Sequence, residues 1–183
     1  MESRRADVPA VASCADLHNV RRMRMRFVLI SALLVLASAF VEAAPIVFLV
    51  RHAEKTASGG DDPELSVAGR QRAEALARIL RDGEITAIFT TEFKRTQETA
   101  EPTAKATRIP TTVVPANDIP AMVEKLGALK GNALVVAHGN TIPDLIKALG
   151  VETPITIPDD DYSELYVITI ADKPQLLRLH YPN

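Results

Sequence analysis

From Pro45 onward, short apolar blocks alternate with amphipathic ones. Pro45 to Val50 (PIVFLV) is a continuous apolar run rich in β-branched residues, which predicts a strand buried on both faces. Thr56 to Asp62 is polar and Gly-rich, hence a loop. Ser66 is a good N-cap, and Ala73, Leu76, Ala77 and Leu80 recur at helical spacing, so a helix over 68–80 is expected, ending by Gly83. Ile85 to Thr90 (ITAIFT) predicts a second strand. Lys94 to Ala106 predicts a helix that Pro102 is expected to kink. A short strand over 111–114 and a helix over 119–129, stopped by Gly131, come next. Ala133 to Ala137 (ALVVA) is as apolar as the first strand. A helix over 141–149 ends at Gly150, and strands over 164–170 and 175–181 flank Asp172-Lys173-Pro174 as an antiparallel hairpin.

Strands alternating with helices imply an α/β fold: a three-layer sandwich whose mostly parallel central sheet carries helices on both faces, the final hairpin extending its edge. Nothing after Pro45 reads as a repeat, a low-complexity run or a linker, so one domain is expected there.

The N-terminus has a different pattern. Arg21, Arg22, Arg24 and Arg26 precede Phe27 to Val41 (FVLISALLVLASAFV), which carries no charge, and Val41-Glu42-Ala43-Ala44 supplies small residues. That is the layout of a secretory signal peptide over 23–43, with cleavage after Ala43. An uncleaved membrane anchor and a buried helix are the alternatives. Fifteen helical residues rise only about 22 Å, short of the ~30 Å hydrocarbon core. Residues 1–22 hold Asp7, Pro9, Asp16 and Asn19 without apolar periodicity and read either as a disordered leader or as a mis-set start, since a start at Met23 or Met25 would give a signal of ordinary length. The expected domain is then 44–183, periplasmic or secreted, or membrane-anchored if the signal stays attached.

Composition sharpens this reading. The full chain has 183 residues, 24% of them charged, with a net charge of -2. Dropping residues 1–43 removes six Arg and four acids, leaving 15 basic against 19 acidic side chains. No basic excess exists to attract nucleic acid. Cys14, the one cysteine, lies in the leader, so no disulfide supports the domain. No metal-ligand cluster is visible in the spacing of its histidines and acids.

In open α/β sheets, chemistry gathers at the carboxyl ends of strands. The first strand is followed by Arg51-His52-Ala53-Glu54, the second by Thr90-Thr91-Glu92-Phe93-Lys94-Arg95, the fourth by His138-Gly139-Asn140-Thr141. Taken singly, His52 and His138 read as satisfied semi-buried histidines, and Arg51 and Arg95 as surface cations. Taken together they describe an anion pocket, because guanidinium is the best fork for phosphate. A neutral imidazole beside such a clamp is a good nucleophile.

Leu49-Val50-Arg51-His52-Ala53-Glu54 resembles the Arg-His-Gly-Glu signature of the histidine phosphatase superfamily, which also holds the cofactor-dependent phosphoglycerate mutases. Leu65-Ser66-Val67-Ala68-Gly69-Arg70-Gln71-Arg72-Ala73, Arg95-Thr96-Gln97-Glu98-Thr99-Ala100 and Val135-Val136-Ala137-His138-Gly139-Asn140-Thr141 resemble three further segments of that family, in its order. The resemblance spans about residues 45–181 and implies a phosphoglycerate mutase-like fold. It implies a phosphatase in which His52 attacks phosphorus and becomes a phosphohistidine. Arg51, Arg95 and His138 would hold the equatorial oxygens, and the backbone of Gly139 and Asn140 would add donors. No cofactor and no metal are implied. The partner would be a small phosphate ester or an exposed phosphorylated group.

Two departures stand out. Ala53 replaces the family's usual glycine and is expected to narrow the pocket floor. The general acid has no clear counterpart: the Leu-x-Glu context of the mutases is missing, and Gly139 stands where the acid-phosphatase branch has its Asp. Asp118 is the best candidate acid, with helix capping as its other reading, and Glu124 reads as solvated. Asp159-Asp160-Asp161 reads as a solvated turn or, otherwise, as the mouth of the site. The missing Glu argues against a phosphoglycerate mutase-type phosphotransferase. The competing reading is a catalytically silent protein that binds a phosphate ligand.

Overall fold

The structure is a computed structural model that describes residues 43–182. The leader over 1–22 and the signal segment over 23–43, apart from Ala43, lie outside the described residues. Six strands form one sheet: β1 (Ile46–Arg51), β2 (Ile85–Thr90), β3 (Thr111–Val113), β4 (Asn132–Ala137), β5 (Glu164–Thr169) and β6 (Gln175–His180). Their order is β3-β2-β4-β1-β5-β6. The β3-β2, β2-β4 and β4-β1 pairings are parallel, whereas β5 runs antiparallel to β1 and β6 antiparallel to β5. The expected hairpin therefore extends the β1 side of the sheet.

Four helices are described: α1 (Val67–Ile79), α2 (Lys94–Thr107), α3 (Ile119–Gly127) and α4 (Ile142–Ala148). The pleat of the central strands assigns them to faces. Val47 and Leu49 of β1 and Ala133 and Val135 of β4 pack with Met122 and Leu126 of α3 and Ile142, Leu145 and Ile146 of α4. The alternate residues Val50, Leu134 and Val136 pack with Leu76 of α1 and Ala100 of α2. The arrangement is the expected three-layer sandwich with helices on both faces. Val47, Leu49, Val50 and Leu134 to Val136 are fully buried, which is why both central strands read as uninterrupted apolar runs.

Helix ends obey local chemistry. The hydroxyl of Ser66 accepts the Gly69 N–H and starts α1. Helix α2 carries Pro102 inside it and runs for 14 residues until Arg108 takes a left-handed conformation at φ 60°. Helix α3 stops at Gly127, short of the expected Leu129: the Ala128 N–H still makes a helical bond to the Glu124 carbonyl, but the Leu129 N–H tightens onto Leu126 at 3.3 Å. Among the described residues, no helix is long and apolar enough to cross a membrane.

Candidate active site

Strands β1, β2 and β4 are parallel, so Arg51-His52, Thr91 and His138 leave the same edge of the sheet. The backbone N–H of His52 bonds to the Ala137 carbonyl at 2.9 Å, continuing the β1–β4 ladder one step past the strand. His52 Nδ1 lies 2.8 Å from the Ala53 carbonyl oxygen. A carbonyl only accepts, so Nδ1 carries the proton and Nε2 keeps a lone pair. Ala53 donates its own N–H to Thr99 Oγ1 at 2.9 Å, and Thr99 Oγ1 donates to the Arg95 carbonyl at 2.7 Å. One hydroxyl thus ties the segment bearing His52 to the first turn of α2, which bears Arg95.

His138 stands edge-on to His52, with ring centroids 5.4 Å apart, and edge-on to Phe93 at 5.2 Å. Its Nε2 lies 2.9 Å from Thr91 Oγ1, which is held in turn by Thr96 Oγ1 at 3.0 Å. Both imidazoles are held neutral. Burial lowers the pKa of His52 to about 3, and the neighbouring His138, Arg95 and Arg51 push the same way against the Ala53 hydrogen bond. Burial, then the charges of Arg95 and Arg51, lower His138 to about 4, opposed by the carboxylate of Glu92.

Two guanidinium groups complete the cluster. Arg95 lies over the Phe93 ring at 4.2 Å. Its Nη1 is 3.8 Å from Asp62 Oδ1, beyond hydrogen-bond reach. Arg95 Nε and Nη1 are buried and have no hydrogen-bond partner among the described residues; the same holds for Arg51 Nε. Buried guanidinium N–H groups normally find acceptors, so three unpaired ones converging beside two histidines describe a cradle for an oxyanion. Gly139 makes room for it: a Cβ there would lie 3.3 Å from Arg51 Nε.

A hollow of about 260 Å³ is lined by Phe93, Arg95, Ala116, Asn117, His138, Asn140 and Thr141. A larger one, about 650 Å³, opens between α1 and α2, but Glu64, Glu74, Glu98 and Glu101 line it together with Arg70. Its acidic wall disfavours an anion, whereas the smaller hollow is lined by Arg95 and His138 and lies beside the cluster that holds His52, whose ring is 5.4 Å from that of His138.

The structure therefore brings together Arg51, His52, Arg95, His138, Gly139 and Asn140. It places Asp118 differently. Asp118 is exposed, caps α3 by accepting the Ala121 N–H at 3.0 Å, and is not among the residues lining the hollow. Ala53 does not line it either; fully buried, it forms a small apolar cluster with Leu65 and Ala73, so its methyl group is taken up under α1. The 159–161 turn is also more than a solvated loop: Arg51 Nη1 donates to the carbonyls of Pro158 at 2.9 Å and Asp161 at 3.0 Å.

Several residues have roles that the sequence does not assign. Thr91 and Phe93 act through the contacts above, as does Thr99, which stood only as a motif position. Tyr162 lies 4.2 Å from the Arg51 guanidinium. Arg72 reaches both oxygens of Glu54 from Nε at 3.0 Å and one from Nη2 at 2.7 Å, fixing the end of the nucleophile segment against α1. Burial pushes Glu54 up, but these bonds and the Arg72 charge outweigh it and hold its carboxyl below the usual range.

Folding also assembles a group that the spacing hides. Asp161, Glu164 and His180 offer ligand atoms within 4.8 Å of one another, because β5 pairs Glu164 directly with His180 of β6. The Arg178 guanidinium already pairs with the Glu164 carboxylate, and Asp161 Oδ1 accepts from Ser163 N and Oγ at 2.8 Å. Cationic charge is thus supplied there by the protein.

Residues 47–117 match the family model described as histidine phosphatase superfamily (branch 1). The fold is shared with solved structures. The protein histidine phosphatase SixA complexed with tungstate is 22% identical, with a TM-score of 0.63 over 74% of this chain and 96% of that one. The alpha-ribazole phosphatase from Shigella flexneri is 18% identical, at 0.60 over 74% and 96%. The mycobacterial glucosyl-3-phosphoglycerate phosphatase complexed with VO3 is 16% identical, at 0.59 over 76% and 100%. No curated protein matches the sequence. The matched segment runs from β1 into the loop before α3, so Arg51, His52 and Arg95 fall within the likeness to the first branch of the histidine phosphatase superfamily and His138 lies beyond it.

Proposed function

We propose that the protein is a phosphatase that hydrolyses a phosphomonoester, or a phosphohistidine, through a phosphohistidine on its own His52. The observation that carries this reading is the pairing of a neutral His52, its Nε2 lone pair available, with unpaired buried N–H groups of Arg51 and Arg95. The Nε2 lone pair attacks phosphorus. A P–N bond forms as the bond to the leaving group breaks, and the leaving group departs with the electron pair and takes up a proton. Negative charge spreads over the equatorial oxygens, where Arg51, Arg95 and His138 stabilise it. Water then attacks the phosphohistidine, releasing phosphate and restoring neutral His52. The relatives named above include a protein histidine phosphatase and phosphatases of small phosphate esters. This supports a phosphatase acting on an accessible phosphate, in which the charge work falls to Arg51, Arg95 and the imidazoles and no metal is invoked, and the basic-apolar-small pattern of residues 23–43 supports its export.

Turnover of p-nitrophenyl phosphate quenched in alkali tests the reading, because a phosphorylated imidazole nitrogen survives base and not acid. Label on the peptide containing His52, absent in His52→Ala, is expected; label elsewhere would refute the mechanism. A second reading, a silent phosphate-binding protein, draws on the absence of any carboxylic acid among the residues lining the hollow. It predicts tungstate binding with no turnover of p-nitrophenyl phosphate between pH 4 and 8. Export is tested by fusing residues 23–44 to a reporter, with Ala44 expected as the mature N-terminus.

A further inference from the structure

We infer that Tyr162 and the turn before it are a working part of the phosphate site: they aim Arg51. This rests on the phosphatase reading and adds a positioning residue from a segment that carries none of the family motifs.

Arginine has five N–H donors in a rigid plane. On Arg51, Nη1 is directed to two backbone carbonyls, Pro158 at 2.9 Å and Asp161 at 3.0 Å. Both Nη1 hydrogens are thereby occupied. The Tyr162 ring covers one face of the guanidinium at 4.2 Å. Gly139 passes beside Nε and Cζ, where a Cβ would stand 3.3–3.4 Å away. There remains the edge formed by Nε and Nη2, the edge that grips a planar pair of oxygens. Nε on that edge is buried and has no partner among the described residues. The same Tyr162 ring lies 6.0 Å from the His52 ring, so the tyrosine sits where nucleophile and clamp meet.

The turn is braced to do this. The Asp161 N–H bonds to the Pro158 carbonyl at 3.1 Å. The Asp161 carboxylate takes both the N–H and the hydroxyl of Ser163, and the Ser163 hydroxyl contacts His180 Nδ1 at 3.0 Å. The carbonyls facing Arg51 are held from behind by β5 and β6. A guanidinium fixed this way loses little freedom when an anion arrives, so its donors act at full strength on the charge that develops during transfer.

The test pairs tungstate binding by calorimetry with kcat/KM for p-nitrophenyl phosphate, on the whole domain. Tyr162→Phe keeps the ring and should stay within about twofold of wild type in both readouts. Tyr162→Ala and Tyr162→Leu should each weaken tungstate binding and kcat/KM about five- to tenfold; leucine keeps volume if alanine does not fold. In an Arg51→Lys background the same tyrosine substitutions should add almost nothing, because the plane they hold is gone. Unchanged tungstate affinity in Tyr162→Leu, or an equal penalty with lysine at position 51, would overturn this inference alone. A wild type that neither binds tungstate nor turns over would overturn it together with the phosphatase reading.

Discussion

Gly69 of α1 is pressed against Glu54 so closely that a Cβ there would stand 2.1 Å from the Glu54 carbonyl oxygen. That contact sets the helix against the nucleophile segment, and the Ser66 N–H bonds to the same carbonyl at 2.8 Å. In an ordinary helix, glycine to alanine stabilises by roughly 0.5–1 kcal/mol. Here the displacement of backbone outweighs that gain, so Gly69→Ala should lose about 1–3 kcal/mol in urea unfolding. At Gly127, the end of α3, an added Cβ would meet nothing within 4 Å. Gly127→Ala is the control and should be neutral or mildly stabilising.

Thr91 should matter for rate more than for stability. Its hydroxyl holds the His138 ring by Nε2 at 2.9 Å, with Thr96 behind it. Thr91→Val keeps the volume and leaves His138 without that partner, so kcat/KM for p-nitrophenyl phosphate should fall about tenfold. Thr91→Ser keeps the hydroxyl and should retain most activity. Equal losses in the two variants would show that the methyl group, not the hydrogen bond, is the feature His138 needs.

Asp118 separates capping from proton donation. Asparagine caps a helix about as well as aspartate, whereas alanine costs about 1 kcal/mol. Asp118→Asn should therefore preserve stability and leave turnover of both alkyl and aryl phosphates unchanged, while Asp118→Ala should lower stability alone. A selective loss on alkyl phosphates in Asp118→Asn, on the order of 10²-fold or more, would restore Asp118 as the general acid.

The strands and the Arg51, His52, Arg95, His138 cluster were legible because each depends on local pattern. A doubly buried strand must be apolar throughout, and a parallel sheet delivers the residues just past such strands to one edge. Gly69 was legible only as a motif position; its reason lies in a backbone contact with Glu54, distant in sequence. Thr99 likewise was legible only as a motif position, and Thr91 and Tyr162 gave no signal, since a hydroxyl or a ring acquires its role from a partner the fold supplies. The Asp161, Glu164 and His180 group likewise exists only through the β5–β6 register.

The buried histidines make stability depend on pH in a defined window. In the unfolded chain both would titrate near 6.5; in the folded protein burial holds them at about 3 and about 4. Between those limits the unfolded state binds more protons, so stability is fully present above pH 6.5 and declines as pH falls toward 3. For His52 the loss approaches on the order of 4 kcal/mol at the bottom of the window. Replacing His52 by Gln removes its titration and should flatten the acid side of a stability curve measured by urea unfolding. An oxyanion reverses the electrostatics, because negative charge beside the imidazoles favours their protonated forms. Tungstate should therefore raise the unfolding midpoint more at pH 5 than at pH 8, and its binding at pH 5 should take up protons, seen as a buffer-dependent heat. A midpoint shift that is the same at both pH values would mean that the anion does not sit between His52 and His138.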